Sequence, residues 1–362
     1  MTALGRTARP RLAVVADDFT GAADATAPFA SRGAEVSLNL CGPPRQDVDV
    51  LALVSDSRWR EAPDAANRVG QLVRQARAWG ADSLFVKVDS TLRGNVRAEV
   101  GAALTAWGSA EAVAAPAFPA QGRLVRRGVL LVHGEPHHRS VADCFPPGVR
   151  LFDAETDEEL DGIAERVLKE GSVAVGSAGL ARALAAAIMP GPPGVRLPAG
   201  RVTGVLVVVG SAHPASRAQA CALTGSGAVC VLVKQGAPVR IEEAVVALAS
   251  GGHVLVTTDI AHHIEADTAG AAALAAELAL VVRAISVAVP TAALVLTGGA
   301  TALAVSWALG ARELRLLAET RPGIVLGELM LADRSIPTIT KSGGFGACGA
   351  LLEAVTTLEA CA

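Results

Sequence analysis

Short aliphatic and β-branched runs recur along the chain. Each is closed by a polar or glycine turn and followed by an alanine-rich stretch of helical length. They fall at 12–16, 50–54, 84–88, 112–115, 173–175, 205–209, 229–233, 253–256 and 294–296, with a further run at 336–339. The run Val205-Leu206-Val207-Val208-Val209 is apolar at every position, as a strand covered on both faces must be. Strand and helix in alternation predict βαβ units and parallel pairing. The expected fold class is α/β, in two domains, each a mostly parallel sheet flanked by helices.

The alternation breaks at Pro190-Gly191-Pro192-Pro193-Gly194, followed by Pro198 and Gly200. Three prolines in four positions can continue neither a helix nor a central strand. The expected division is therefore a first domain at 1–190, a Pro/Gly-rich linker at 191–200 and a second domain at 201–362. A length of 362 residues suits two domains of about 100–200 residues each.

Mean hydropathy is +0.41, which raises the question of a membrane span. The longest stretch without a charged residue, 284–311, is long enough for a bilayer of about 30 Å. It contains Pro290, Gly298 and Gly299 between a strand-like half and an alanine-rich half, so strand, Gly-Gly turn and helix is the expected reading. At the start, Arg6, Arg9 and Arg11 precede only five apolar residues before Asp17-Asp18, too few for a secretory core of about 7–15. The six cysteines form no CxxC motif, and the His137-His138 and His262-His263 doublets lack the spacing of a shared ligand face. A cytoplasmic protein without a membrane span or a dedicated metal site is expected. Lys plus Arg number 32 against 35 Asp plus Glu, and aromatics are 3% with no Tyr. That balance provides neither a basic field nor stacking platforms for nucleic acid. A homo-oligomer is compatible with the sequence and not specified by it.

In parallel α/β sheets, chemistry gathers where strands end and helices begin. After the first run comes Asp17-Asp18-Phe19-Thr20-Gly21. Paired carboxylates there can accept hydrogen bonds from sugar hydroxyls or take a proton, while capping of the next helix is the competing use. After the third run comes Lys87-Val88-Asp89-Ser90-Thr91-Leu92-Arg93-Gly94. Lys87 and Asp89 are expected on one face of the strand end, with Arg93 within reach, which makes a receptor for a hydroxylated anion. Pro116-Ala117-Phe118-Pro119 reads as a rigid loop, and Arg123 beyond it could add a second anion contact.

The second half has no GxxxxGK[ST] motif, and Gly225-Ser226-Gly227 precedes a strand where a dinucleotide fingerprint would follow one. Three other turns are better placed: Gly210-Ser211-Ala212-His213, Thr297-Gly298-Gly299-Ala300-Thr301, and Lys341-Ser342-Gly343-Gly344-Phe345-Gly346. Each follows a strand, and glycine turns at helix N-termini aim backbone N–H groups at anions. Lys341 adds a cation. A nucleotide site in the second domain is expected.

Taken in order, the segments VADDFTGAADA, KVDSTLRGN, PAFPAQGR, GVLLVHGEP, GSAGLARALA, GSAHPASRAQ, LTGGATALAV, RPGIVLGEL and TKSGGFG resemble the four-carbon acid sugar kinase family over nearly the whole chain. The resemblance implies an acid-sugar domain followed by an ATP domain. It implies Mg²⁺- and ATP-dependent phosphorylation of the terminal hydroxyl of a threonate, an erythronate or a 3-oxo-tetronate. Carried over by position, Asp17, Asp18, Lys87, Asp89, Ser90 and Arg93 would line the sugar-acid site, and Ser211, Gly298, Gly299, Ala300, Thr301 and Gly343 would bind the nucleotide. The residues themselves add Arg123 to the acid site, Lys341 and Gly346 to the nucleotide site, and Asp89 or Asp18 as the base. Ala300 departs from the family's GGET turn, and the stretch from Pro136 to Phe152 is short for the family. Two other classes remain: a sugar-acid-binding protein without catalysis, which Ala300 would favour, and a nicotinamide-dependent dehydrogenase, against which DDFTG stands where a GxGxxG is required.

Overall fold

Every apolar run becomes a strand. The computed structural model describes residues 10–198, 202–258 and 268–360. Arg6, Arg9, the His262-His263 doublet, Cys361 and the last two linker positions lie outside the described residues. Two units divide the chain: Met1–Asp17, Pro28–Asn39 and Pro43–Pro193 form the first, and Asp18–Ala27, Leu40–Gly42 and Gly194–Ala362 the second. Two short segments of the expected first half thus belong to the second unit. Leu40 and Cys41 join the second unit by donating backbone N–H bonds to the Arg312 carbonyl at 2.9 and 3.2 Å.

The first unit contains β1 (Leu12–Ala16), the last turn of α1 (Phe19–Ser31), β2 (Val36–Asn39), β3 (Val50–Val54), α2 (Ala62–Trp79), β4 (Ser83–Lys87), α3 (Val96–Trp107) and β5 (Ala112–Ala115). It continues through β6 (Arg123–Arg126), β7 (Val129–Val132), β8 (Glu135–Ser140), β9 (Val149–Leu151), α4 (Asp157–Glu170), β10 (Val173–Gly176) and α5 (Ala178–Ile188). Its strands run in the order β2-β3-β1-β4-β10-β5-β9, all parallel. Helix ends obey local chemistry: α2 stops at Gly80 in the left-handed region, and α4 opens on a Thr156–Glu159 capping box.

The sequence reading treated 116–123 as a rigid loop. In the structure Arg123 opens an antiparallel β6-β7-β8 sheet. Its hairpins turn on Arg127-Gly128 and His133-Gly134, all four with positive φ, as two-residue turns of this hand require.

The second unit contains β11 (Val205–Val209), α6 (Pro214–Gly225), β12 (Val229–Val233), α7 (Glu242–Ala249), β13 (His253–Thr258), α8 (Thr268–Ala288), β14 (Ala293–Thr297), α9 (Gly299–Ala308), β15 (Glu313–Arg321), β16 (Ile324–Met330), β17 (Ser335–Lys341) and α10 (Ala350–Glu359). Strands run β12-β13-β11-β14-β17-β16-β15, parallel as far as β17 and antiparallel beyond it. Val205, Val207 and Val209 pack with Leu326, Ile339, Leu223, Leu351 and Val355 in its core. The uncharged stretch 284–311 resolves into the end of α8, then β14, then α9. Among the described residues, one helix, α8, is apolar and long enough to cross a membrane. Its buried Ala275, Leu278, Ala279, Val282 and Ile285 form one stripe, while Leu280 and Val287 are exposed.

Candidate functional site

In the first unit, parallel pairing sets Ala16 level with Val54 and Lys87. The residues after β1, β3 and β4 therefore leave the sheet along one edge. Asp17, nearly fully buried, receives both arms of the Arg58 guanidinium at 2.6 and 2.8 Å. Arg58 also lies 3.6 Å from Asp89. Asp89 accepts a second fork from Arg93 at 3.0 and 2.6 Å, and the Thr91 hydroxyl and N–H at 2.5 and 3.0 Å. Burial pushes the Asp89 carboxyl up, but Arg93, Arg58 and Thr91 outweigh it and hold the group well below the usual carboxylate range.

The turn that permits this is strained: Leu92 has φ 58, and Gly94 has φ 87 with Arg58 so near that an added Cβ would lie 3.3 Å from its carbonyl oxygen.

Strand β4 ends at Lys87, so Lys87 and Asp89 do not share a strand face as the sequence suggested. Asp89 turns to Arg93 and Arg58. Lys87, 5% exposed, donates to the Val88 carbonyl at 2.9 Å and meets no carboxylate among the described residues. Arg123 donates to the Gln121 carbonyl, and its Nη1 lies 3.5 Å from His133 Nε2. Burial lowers its pKa, Asp89 opposes this and Arg93 adds to it, which puts its guanidinium within electrostatic range of both. Ser90 is buried beside Asp89.

Two groups here were not anticipated. Arg58 sits in the polar stretch Asp56-Ser57-Arg58-Trp59-Arg60, and Glu99 lies in the first turn of α3, away from any strand end. Glu99 is instead 4% exposed, accepting the Ser57 hydroxyl at 2.5 Å. Ser57 Oγ lies 2.6 Å from Ser55 Oγ, and Ser55 donates to the Ala16 carbonyl at 3.0 Å. Burial first and the Asp17 charge second push the Glu99 carboxyl up to about 7, against the opposing pull of Ser57 and Arg58.

Asp18 belongs to the second unit and takes the capping role: Oδ1 accepts the Gly21 N–H and Oδ2 the Thr20 hydroxyl, both at 2.9 Å.

In the second unit, Val209, Thr297 and Lys341 are level across β11, β14 and β17. The three glycine turns emerge together. A Cβ on Gly343 would run into Ser211, one on Gly210 into Thr301, and one on Gly344 would lie 3.2 Å from His213 Nε2. Gly298, with φ 96 and Ser211 beside it, opens α9 without a side-chain cap. Among the described residues no acceptor meets the N–H groups of Gly299, Ala300 or Thr301, nor those of Gly343 or Gly344. Open N–H groups and space that only glycine leaves suit a chain of phosphates.

Lys341 is not at this surface. It is fully buried, donates to the carbonyls of Ser342, Gly343 and Phe345 at 2.9, 3.3 and 3.0 Å, and is lowered to about 8 by burial. It braces the loop it was expected to arm. Ser216 and Gln219 do the same from α6, donating to Gly343 and to Phe345, Gly346 and Ala347. Gly346 thus stands at the braced end of the loop, away from the open N–H groups. Among the described residues there is no group of three or more His, Cys, Asp or Glu that could hold a metal ion.

Two family models match the chain: a sugar-binding N-terminal domain over residues 12–146 and a nucleotide-binding C-terminal domain over 206–351. A D-threonate kinase of Bordetella bronchiseptica is 34% identical over 97% of this chain and 98% of its own. A D-erythronate kinase of Heliobacterium modesticaldum is 31% identical over 60% of this chain and 61% of its own. A solved structure from Salmonella typhimurium LT2 shares the fold with a TM-score of 0.75 at 18% identity, covering 95% of this chain and 98% of that one.

Proposed function

The chain belongs to the four-carbon acid sugar kinase family, and we propose that it transfers the γ-phosphoryl group of ATP to the terminal hydroxyl of a four-carbon sugar acid. D-threonate is the first acid to consider, because the relative matched over nearly its whole length is a D-threonate kinase. The observation that carries the reading is Lys87, a buried cation that meets no carboxylate among the described residues. Such a charge is costly to bury alone, and an anionic substrate supplies the missing partner.

Lys87 and Arg93 hold the substrate carboxylate, and Arg123 adds a further cation. Asp17, fixed by Arg58, and Ser90 face the substrate hydroxyls. Asp89 is tied up by Arg93, Arg58 and Thr91 and held strongly acidic, which makes it a weak base. The proton of the attacking hydroxyl is assigned to Asp18, which besides capping α1 accepts from the neutral donors Thr20 and Gly21, where Asp89 is held by guanidinium groups. The open N–H groups of Gly299, Ala300, Thr301 and Gly343, with Ser211, receive the phosphates of ATP; phosphoryl transfer asks little more of a protein than such positioning and charge stabilisation. Where the family has a GGET turn, Ala300 leaves only its backbone to contribute. Mg²⁺ comes in on the nucleotide, since few protein ligands are needed when phosphates supply most of them. We further propose closure about the 190–200 linker to bring the reactants together.

The test is calorimetry on Lys87→Met. D-threonate binding is expected to fall at least about 100-fold, the loss typical of a buried ionic partner, with ATP affinity unchanged. Undiminished sugar-acid binding would contradict the assignment.

A further inference from the structure

Glu99 has no part in the chemistry above, yet it stands directly behind the acid pocket. It reaches from α3 to Ser57, whose own N–H donates to the Asp17 carbonyl at 3.1 Å and whose neighbour Arg58 grips the Asp17 carboxylate. The elements around it each present a defined set of charges. The end of β1 brings Asp17, the turn after β3 brings Arg58, and the end of β4 brings Lys87 and Asp89, the latter paired with Arg93. The buried face of α2, which packs on α3, is apolar at Ala65, Val69 and Val73. Arg123, with His133 beside it, completes the border.

Lys87, Arg58, Arg93 and Arg123 then stand against Asp17 and Asp89. With a protonated Glu99 the cluster has two positive charges in excess, and with an ionised Glu99 it has one. Resting on the reading of this pocket as the sugar-acid site, we propose that Glu99 is a positioning residue that holds a proton behind the pocket and couples sugar-acid affinity to pH. The charges that act on Glu99 are Asp17 and Arg58, and a sugar acid bound against Asp17 adds negative charge on that side and favours the neutral form of Glu99 further. Binding of the acid near neutral pH therefore takes up a proton. The elevated proton affinity that burial and Asp17 give Glu99 places this coupling close to neutrality.

The experiment is calorimetric titration of D-threonate into the full chain from pH 6 to 9, in buffers of different ionisation enthalpy, for the wild type and Glu99→Gln. The wild type is expected to lose affinity with rising pH, about tenfold for each unit by which the bound acid raises the Glu99 pKa, with proton uptake near pH 7.5. Glu99→Gln is expected to bind with a flat profile and no uptake, and His133→Asn to behave like the wild type. The same pH profile in Glu99→Gln as in wild type, or its disappearance in His133→Asn instead, would overturn the proposal. If Glu99→Gln does not fold, Ser57→Ala replaces it and is expected to shift the midpoint upward. Should the wild type bind none of the four-carbon acids, the functional reading fails. The proposal is then decided by carbon-13 titration of the ligand-free carboxyls, where a Glu99 that titrates in the ordinary glutamate range would overturn it.

Discussion

Glu99 and Lys87 show how little a residue's type says before its surroundings are known. In sequence, Glu99 sits in Asn95-Val96-Arg97-Ala98-Glu99, a helix start with a polar rhythm, and nothing local distinguishes it from a solvated acid. It is buried on the same side of α3 as Val96, Val100 and Ala103, where it meets Ser57 of the turn after β3, which is a tertiary fact. Arg58 was missed for the same reason: its partners Asp17 and Asp89 are 41 and 31 positions away in a chain whose pairing had not yet been seen. That the segments around Asp17, Lys87, Asp89 and Arg93 leave the sheet along one edge was legible, by contrast, because consecutive parallel strands end level. What could not be read was who pairs with whom.

Glu99 also makes a stability prediction. Its folded-state pKa is raised from 4.5 to about 7, so the folded protein holds a proton that the unfolded chain releases. Stability from this group is complete below pH 4.5, falls as pH rises towards 7 and is level above it. Glu99→Gln, neutral throughout, should gain on the wild type across that window by roughly 3 kcal/mol. Urea unfolding of both proteins at pH 4.5, 6 and 8 checks it, and a gap that does not widen with pH would contradict it.

At the scale of elements, the parallel strands and alanine-rich helices were readable from periodicity, and the antiparallel pieces were not. The hairpins of β6-β7-β8 turn on Arg-Gly and His-Gly, where the strong sequence signals for such turns are Asn-Gly and Asp-Gly. The β15–β16 hairpin turns on Pro322-Gly323, a signal that was present but lay within a segment lacking the continuous apolar run of its neighbours. The loop after β17 was recognised by its glycines, and the role of its lysine was inverted. Nearness to glycines suggested that Lys341 meets phosphate, whereas its three donors hold three loop carbonyls. Lys341→Met should therefore loosen residues 342–347 and lower ATP affinity at least about tenfold, as unsatisfied carbonyls cost about 1–3 kcal/mol each, with sugar-acid affinity unchanged. Equilibrium binding of both ligands to the variant measures this, and unaltered ATP affinity would show that the brace is dispensable.

For the molecule as a whole, a proline-rich break separates two α/β halves in the sequence, and the chain divides at Pro193/Gly194 with 18–27 and 40–42 belonging to the second unit. Such a transfer of short segments leaves no trace in composition or hydropathy. On the proposal that the sugar acid binds the first unit and ATP the second, phosphoryl transfer requires the two ligands to meet. Small-angle scattering should register a smaller radius of gyration when D-threonate and a non-hydrolysable ATP analogue are both present than with either alone. Saturation of both sites with no change in scattering would remove closure from the mechanism.

The central claim is phosphoryl transfer to a four-carbon acid, and ATP consumption with Mg²⁺ tests it most directly. The assay takes D- and L-threonate, D- and L-erythronate and the 3-oxo-tetronates in turn, with Arg93→Ala alongside the wild type. Turnover on one of these acids, D-threonate first, with loss of that turnover in Arg93→Ala, is the predicted result. ATP binding without turnover on any of them would contradict it, and absence of nucleotide binding altogether would return the chain, through Ala300, to the class of sugar-acid-binding proteins.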